Sequence, residues 1–211
     1  VMYSAIGQVS DMMGKLRAAL SAATTAGTAG NAAAISTAQQ YLQQMGSVLN
    51  TQYNGQYVFG GGNTSTPAAD ISTFATGAGS LATADTSYYQ GDSELASVRV
   101  SAGQTVTYGV TADNPAFEQV MRVLKFVANS SPLSPTDITN ALSVAETAVD
   151  TVGTMQAKLS TAAAQISAAQ TRQSEFKSYT ETLGTDLSSV DVAAVTAQLS
   201  TYQAQLTASY T

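Results

Sequence analysis

The side chains able to do chemistry in this chain are sparse, and the usual agents of proton transfer are missing. It contains no His and no Cys. That removes the commonest general base, the commonest transition-metal ligand, thiolate sites and disulfides. Carboxylates, tyrosines and a glycine triplet are left. Asp85, Asp92 and Glu94 lie near one another in sequence, and hard cations such as Ca²⁺ take oxygen ligands of this kind, but the spacing of a calcium-binding loop is absent. A carboxylate pair could serve glycoside hydrolysis, yet nothing signals an aromatic-lined cleft beside it. Asp92-Ser93-Glu94 therefore reads as a solvated turn, and no catalytic residue, metal or cofactor is expected. Gly60-Gly61-Gly62 could cradle a phosphate, but no Walker-type Lys follows it, and a flexible exit from a strand is the simpler reading. Tyr88, Tyr89 and Tyr108, together with Asp92, form a candidate ligand face for a polysaccharide, since tyrosine rings offer apolar faces with polar tips. Ordinary packing of the insert against the helical rod is the commoner cause of such rings. Lys15, Arg17, Arg122 and Lys125 are candidates for a cluster between neighbouring helices, where exposed pairs contribute little.

The elements that would position these groups are mostly helical. The first apolar residues fall at Met2, Ile6, Val9, Met13, Leu16, Leu20 and Ala23, in steps of four and three, a coiled-coil-like seam. Thr24 to Gly30 breaks it, since glycine is costly in a helix. Asn31 is a candidate N-cap for a second helix, with Ile35, Ala38, Leu42, Met45 and Leu49 on one face. Two helices joined by a short loop pack antiparallel. Asn54-Gly55 then predicts a turn into the β-prone Tyr57-Val58-Phe59. The stretch from Asn63 to about Tyr88 gets no assignment. Val98 and Val100, then Val106, Tyr108 and Val110, alternate around Ser101-Ala102-Gly103-Gln104 and predict a hairpin.

Asp113-Asn114-Pro115 restarts helix, with Asp113 or Asn114 as cap and Phe117, Val120, Met121, Leu124 and Val127 inward. Ser134-Pro135-Thr136-Asp137 opens a long helix with a seam from Ile138 through Leu159, Ile166 and Phe176 to Leu187. Gly184 is the expected stop, and Ser188-Ser189-Val190-Asp191 the expected cap of a last helix bearing Leu199. The fold class expected is mainly α with a small β-rich insert: an elongated antiparallel helical rod from 1–62 and 113–211, interrupted by a β subdomain at 63–112. Its core candidates are Leu16, Leu42, Leu49, Phe59, Leu124, Leu159, Ile166, Phe176 and Leu199.

The chain has 211 residues, 44% of them hydrophobic and 10% charged, with a formal net charge of −6. That is long enough for a sizeable core and too hydrophobic for a disordered chain. The acidity and the scarcity of Lys and Arg exclude electrostatic binding of nucleic acid or anionic lipid. No apolar run approaches the roughly 20 residues of a membrane-spanning helix, and no signal peptide is visible. Because it starts at Val1, the sequence reads as a trimmed piece whose upstream signals are not seen. The seam of the long helix is rich in alanine and its exterior in Ser, Thr and Gln. Close packing against copies of itself and an exported protein's composition account for this equally well.

In this order the elements resemble the flagellin family: an N-terminal helix pair, an Asn-Gly hairpin, a variable insert and a long C-terminal helix. Asn54-Gly55-Gln56 before Tyr57-Val58-Phe59-Gly60-Gly61, then Asn63-Thr64 and Pro67, resembles the hook–filament junction branch more than the bulk filament branch. Tyr89-Gln90-Gly91-Asp92 before Val98 and Val100 adds to this, as do Leu187-Ser188-Ser189-Val190-Asp191-Val192-Ala193 and the stretch Ala204 to Tyr210 near the C-terminus. The resemblance spans nearly the whole chain, and its weight lies in the ordered set of motifs. It implies a structural subunit of the bacterial flagellum, not an enzyme, exported by the flagellar type III apparatus and polymerised outside the cell. Its implied partners are copies of itself or neighbouring flagellar subunits; a piece lacking the terminal segments is expected to be monomeric. One departure is Lys15-Leu16-Arg17-Ala18-Ala19-Leu20, which lacks the glutamate of the segment recognised by innate immune receptors in many filament flagellins. The alternative is a flagellin-like cell-surface adhesin that binds polysaccharide through the insert.

Overall fold

A computed structural model describes residues 1–77 and 79–210, apart from the side chains of Thr73 and of residues 189–193. The chain is mainly helical with two small antiparallel hairpins. In order it runs α1 (Met2–Leu49), β1 (Gln52–Tyr53), β2 (Gln56–Tyr57), α2 (Ile71–Phe74), β3 (Ser97–Ser101), β4 (Gln104–Thr107), α3 (Pro115–Asn129) and α4 (Pro135–Ser209). Two compact units result, Val1–Ala164 and Gln165–Thr211. No described helix is long and apolar enough to cross a membrane.

In the first unit, α1 is two helical arms meeting at Gly27, whose φ of 60° and ψ of −138° are not helical. A straight helix would separate Ala23 and Gly30 by about 10 Å along its axis. Instead, a Cβ on Gly30 would lie only 2.8 Å from the Ala23 Cα, so the arms double back as a hairpin. The expected break is present, but Asn31 is not its cap. That residue is already helical, and its Nδ2 donates to the Leu133 carbonyl at 2.9 Å. The Gln39 amide reaches the Ala128 carbonyl at 3.2 Å in the same way, which ties the second arm to α3.

The seam residues Ile6, Val9, Met13, Leu16, Leu20 and Ala23 are all buried, as are Ala38, Leu42, Met45 and Leu49 from the second arm. They share one core with Phe117, Val120, Met121, Leu124 and Val127 of α3 and with Ile138, Ala141, Ala145, Ala148 and Val152 of α4. α3 starts where its sequence dictates: Asn114 is the cap, its Oδ1 accepting from the Ala116 N–H at 3.0 Å, and Pro115 needs no donor there. α4 opens on a reciprocal capping box. Ser134 N–H donates to Asp137 Oδ2 at 3.0 Å, and Asp137 N–H to Ser134 Oγ at 3.1 Å.

At the tip of β1–β2, Asn54 and Gly55 both have positive φ (51° and 77°). This pair sets a two-residue type I′ turn, whose twist suits a hairpin. β2 stops at Tyr57, so Val58 and Phe59 lie past the strand; Phe59 instead enters the core, edge-on to Phe117 at 5.3 Å. β3 and β4 pair as expected through Ala102-Gly103, with Val100 and Val106 buried, but the pairing ends at Thr107, short of Tyr108 and Val110. Ala68, Ala69, Phe74 and Tyr88 belong to the same core as the helices. The packing of 63–112 is therefore continuous with the helical bundle, within one compact unit.

The second unit holds only helix, because α4 runs on through Gly184 to Ser209. The expected stop at Gly184 is overturned: its φ is not positive, and an isolated Gly costs a helix only about 1 kcal/mol. The expected cap and motif at 189–193 rest on side chains outside the described set.

Candidate functional site

Three surfaces compete for function: the tyrosine–carboxylate face of the insert, the contact between the insert and α3, and the apolar seam of the second unit.

The first does not assemble. Tyr88 is fully buried: its ring meets Phe74 edge-on at 5.0 Å and its hydroxyl donates to the Ala112 carbonyl at 2.8 Å. Burial pushes its phenol well above the usual range, helped by the nearby charges of Glu118, Asp113 and Asp85. Tyr88 is thus a core residue and not part of a ligand face, because its ring and its hydroxyl both find partners inside. The Tyr89 hydroxyl donates to the Asp92 carbonyl, and its phenol is raised to about 12, first by burial and then by Asp113 and Asp92. Tyr108 is 37% exposed and lines an open groove of about 440 Å³ with Leu95, Lys158 and Leu159.

Asp92 turns inward upon its own loop. Its Oδ1 accepts from the N–H of Gly62 at 2.7 Å and of Glu94 at 2.9 Å, which lowers its pKa. A Cβ on Gly61, where φ is 72°, would collide with Asp92. Gly61 and Gly62 are therefore needed to let residue 92 approach, and the space a phosphate would take beside Gly62 is filled by the chain's own carboxylate. Among the described residues, no group of three or more acidic side chains gathers as metal ligands.

The second surface was only half visible in the sequence. Arg122 and Lys125 do gather, while Lys15 and Arg17 stay exposed on α1. The residue at the centre is Glu118, 4% exposed on α3. Its Oε1 accepts from the Asp85 N–H at 2.9 Å and lies 3.2 Å from Arg122 Nε, off the line of a hydrogen bond. Arg122 Nη1 donates to the Leu81 carbonyl at 2.9 Å. Lys125 Nζ pairs with Asp85 at 2.9 Å and sits 4.3 Å over the Phe74 ring. Asn129 Nδ2 adds a bond to the Ala75 carbonyl at 3.1 Å. This network holds Ala75, Leu81 and Asp85 on α3. The Glu118–Arg122 spacing was its one sequence signal. Its charges are spent on each other and on backbone, so it acts as a fastening.

The third surface lies in the second unit. Phe176, Tyr179, Leu183, Leu187, Val195, Leu199, Tyr202 and Leu206 are all exposed. Of the expected core positions, Leu16, Leu42, Leu49, Phe59 and Leu124 are buried, and Leu159 is partly buried against the core. Ile166 is half-buried. Phe176 and Leu199 are 68% and 58% exposed and do not belong to a core. The reason is that, among the described residues of their unit, one helix stands without a second element against the seam.

No protein-family model and no curated protein sequence matches the chain. The fold does have a counterpart among solved structures. With a TM-score of 0.68 over 88% of this chain and 83% of the other, and at 17% sequence identity, the chain is similar in fold to a Vibrio parahaemolyticus protein described as a "putative flagellar hook-associated protein".

Proposed function

We propose that the chain is a structural subunit of the bacterial flagellum, of the hook–filament junction type, exported by the flagellar type III apparatus and assembled outside the cell. The observation that carries this reading is the fold shared with the Vibrio parahaemolyticus protein described as a "putative flagellar hook-associated protein". The exposed seam of the second unit supports it, since a helix that keeps Phe176, Leu187, Leu199 and Leu206 in water is poorly served on its own. Burying one such side chain in an assembly contributes about 1.5–3 kcal/mol. The partners are neighbouring flagellar subunits, and the role is mechanical: Glu118, Arg122 and Lys125 of α3 spend their charges on fastening the insert.

Electron microscopy of purified hooks and filaments mixed with the full-length protein tests the proposal. A junction subunit caps hook ends without further growth. Continued extension into filaments would make it a bulk flagellin instead. Failure to join either structure, with retention on a polysaccharide matrix that needs residues 63–112, would replace the proposal with the adhesin reading.

A further inference from the structure

The seven asparagines of the chain differ in what their carboxamides do. Asn31 donates to the Leu133 carbonyl, Asn50 bonds Ala69 through both of its side-chain atoms, and Asn129 holds the Ala75 carbonyl. Asn114 caps α3, and Asn63 accepts from the Ser65 hydroxyl at 3.4 Å. Asn140 lies in α4, where the following N–H belongs to the helix ladder. Asn54 alone is both free and followed by glycine. It is exposed at the tip of β1–β2 and its side chain bonds to no described residue. Gly55 is exposed too, its N–H engages no described residue, and nothing lies within 4 Å of where a Cβ would stand.

We propose that Asn54-Gly55 is a self-modification site, at which the folded chain converts the Asn54 amide to an acid by attack of the Gly55 backbone nitrogen. The nitrogen loses its proton to hydroxide and forms a bond to Asn54 Cγ. The Cγ–Nδ2 bond breaks, and the side-chain nitrogen leaves as ammonia. The product is a five-membered cyclic imide. Water then adds to either imide carbonyl and opens the ring, leaving aspartate or an isoaspartyl linkage through the β-carboxyl. One water enters, one ammonia departs, and nothing is oxidised or reduced. Glycine matters because a side chain at residue 55 would hinder the attacking nitrogen.

The geometry also says what the change does. A type I′ turn has two central residues, and an isoaspartyl linkage adds a backbone methylene to one of them. The ladder pairs Gln52 with Tyr57 and Tyr53 with Gln56, so the lengthened turn shifts this register at its tip, while the Val58 N–H on the Thr51 carbonyl at 3.1 Å and the Tyr57 N–H on the Thr64 carbonyl at 2.9 Å hold the base. The bundle is unaffected, because Phe59 is held separately by the Ala112 N–H at 2.9 Å and by the Phe117 ring. Formal charge moves from −6 by one further unit. The site stands whether or not the chain joins a flagellar polymer.

The test is to incubate the full folded chain in mildly alkaline water enriched in ¹⁸O, with a denatured sample alongside, and to map every asparagine by peptide mass spectrometry that separates aspartyl from isoaspartyl linkages. The expected result is loss of the Asn54 amide with ¹⁸O uptake in the folded sample, faster at higher pH. The other six asparagines stay intact and helicity is unchanged. Asn54→Gln should abolish the acidic shift, since its longer side chain closes a less favoured ring. The proposal is overturned if Asn54 survives in the folded chain while the denatured chain converts it, if another asparagine reacts as fast, or if the shift persists in Asn54→Gln.

Discussion

Asn50, the residue that ends α1, grips Ala69 by both atoms of its side-chain amide: Nδ2 donates to the Ala69 carbonyl at 2.7 Å, and Oδ1 accepts from the Ala69 N–H at 2.9 Å. Ala69 in turn pairs with Tyr89, and Ala68 accepts from the Gln90 N–H at 2.9 Å. One side chain thus joins the helix terminus to both passes of the insert. Next to it, Gly46 leaves room for Ile71, whose Cδ1 would be 2.8 Å from a Cβ there. Asn50→Ala removes two bonds to half-buried backbone groups and should cost about 1–3 kcal/mol in urea unfolding. Hydrogen exchange at the Ala69 amide should accelerate more than exchange in α3. Equal acceleration everywhere would show that the insert does not open separately.

Gly27 makes the reversal of α1, in a region of backbone space that side chains seldom enter. Gly27→Ala should destabilise by about 1–3 kcal/mol from backbone strain alone, since nothing lies within 4 Å of the new methyl. Gly14→Ala is the matched control. It is exposed in the first arm, also with open space, and should stabilise by about 0.5–1 kcal/mol. Thermal melts in which the two changes share a sign would contradict this account of the turn.

Acid should weaken the fastening of the insert. The Asp85 carboxyl is lowered from 3.8 to about 2, chiefly by side-chain hydrogen bonding with Ser87 and next by Lys125, against an opposing effect of burial. A depressed carboxylate contributes stability that is full above its unfolded value of 3.8 and is lost as pH falls through about 2. With 35% of the Asp85 side chain exposed, solvent screening reduces the contribution to about 1 kcal/mol or less. Asp92, Asp70 and Asp137 are lowered as well, so the wild-type slope has several sources. Asp85→Asn should flatten only its own share, seen as the difference between the two stability–pH curves in that window.

Two leucines with the same heptad surroundings should behave oppositely. Leu16 is fully buried, and Leu16→Ala should cost about 2–5 kcal/mol. Leu199 is 58% exposed, so Leu199→Glu should leave urea unfolding within about 0.5 kcal/mol of wild type. If the proposed role is correct, the same change should abolish joining to hooks. A stability loss for Leu199→Glu comparable to that of Leu16→Ala would mean that the seam is covered in solution.

Features set by neighbours in the chain were legible in the residues alone. Asn54-Gly55 predicts its turn because two positive φ values are needed side by side. Asn114-Pro115 and Ser134–Asp137 predict helix starts because the capping groups lie within three residues of the donors they satisfy. The inward faces of α1 and α3 follow from 3.5- and 3.6-residue periodicity. The legible part stops where an outcome depends on a distant partner. Asn31 has the composition of a cap, but the Leu133 carbonyl arrives from another element and takes its amide. Tyr88 suits a packed ring or a ligand face by its type alone, and Phe74 and Ala112, distant in sequence, are what enclose it.

The sequence by itself determined the mainly helical character, the turns of the two hairpins, the starts of α3 and α4 and the absence of His and Cys chemistry, all of which depend on residue types and local spacing. Tertiary structure alone decided which apolar stripes become core. Heptad spacing states that a helix has an apolar side and not whether a second element comes to cover it. Leu124 and Leu199 therefore read alike in sequence, and only the first has neighbours to exclude water from it.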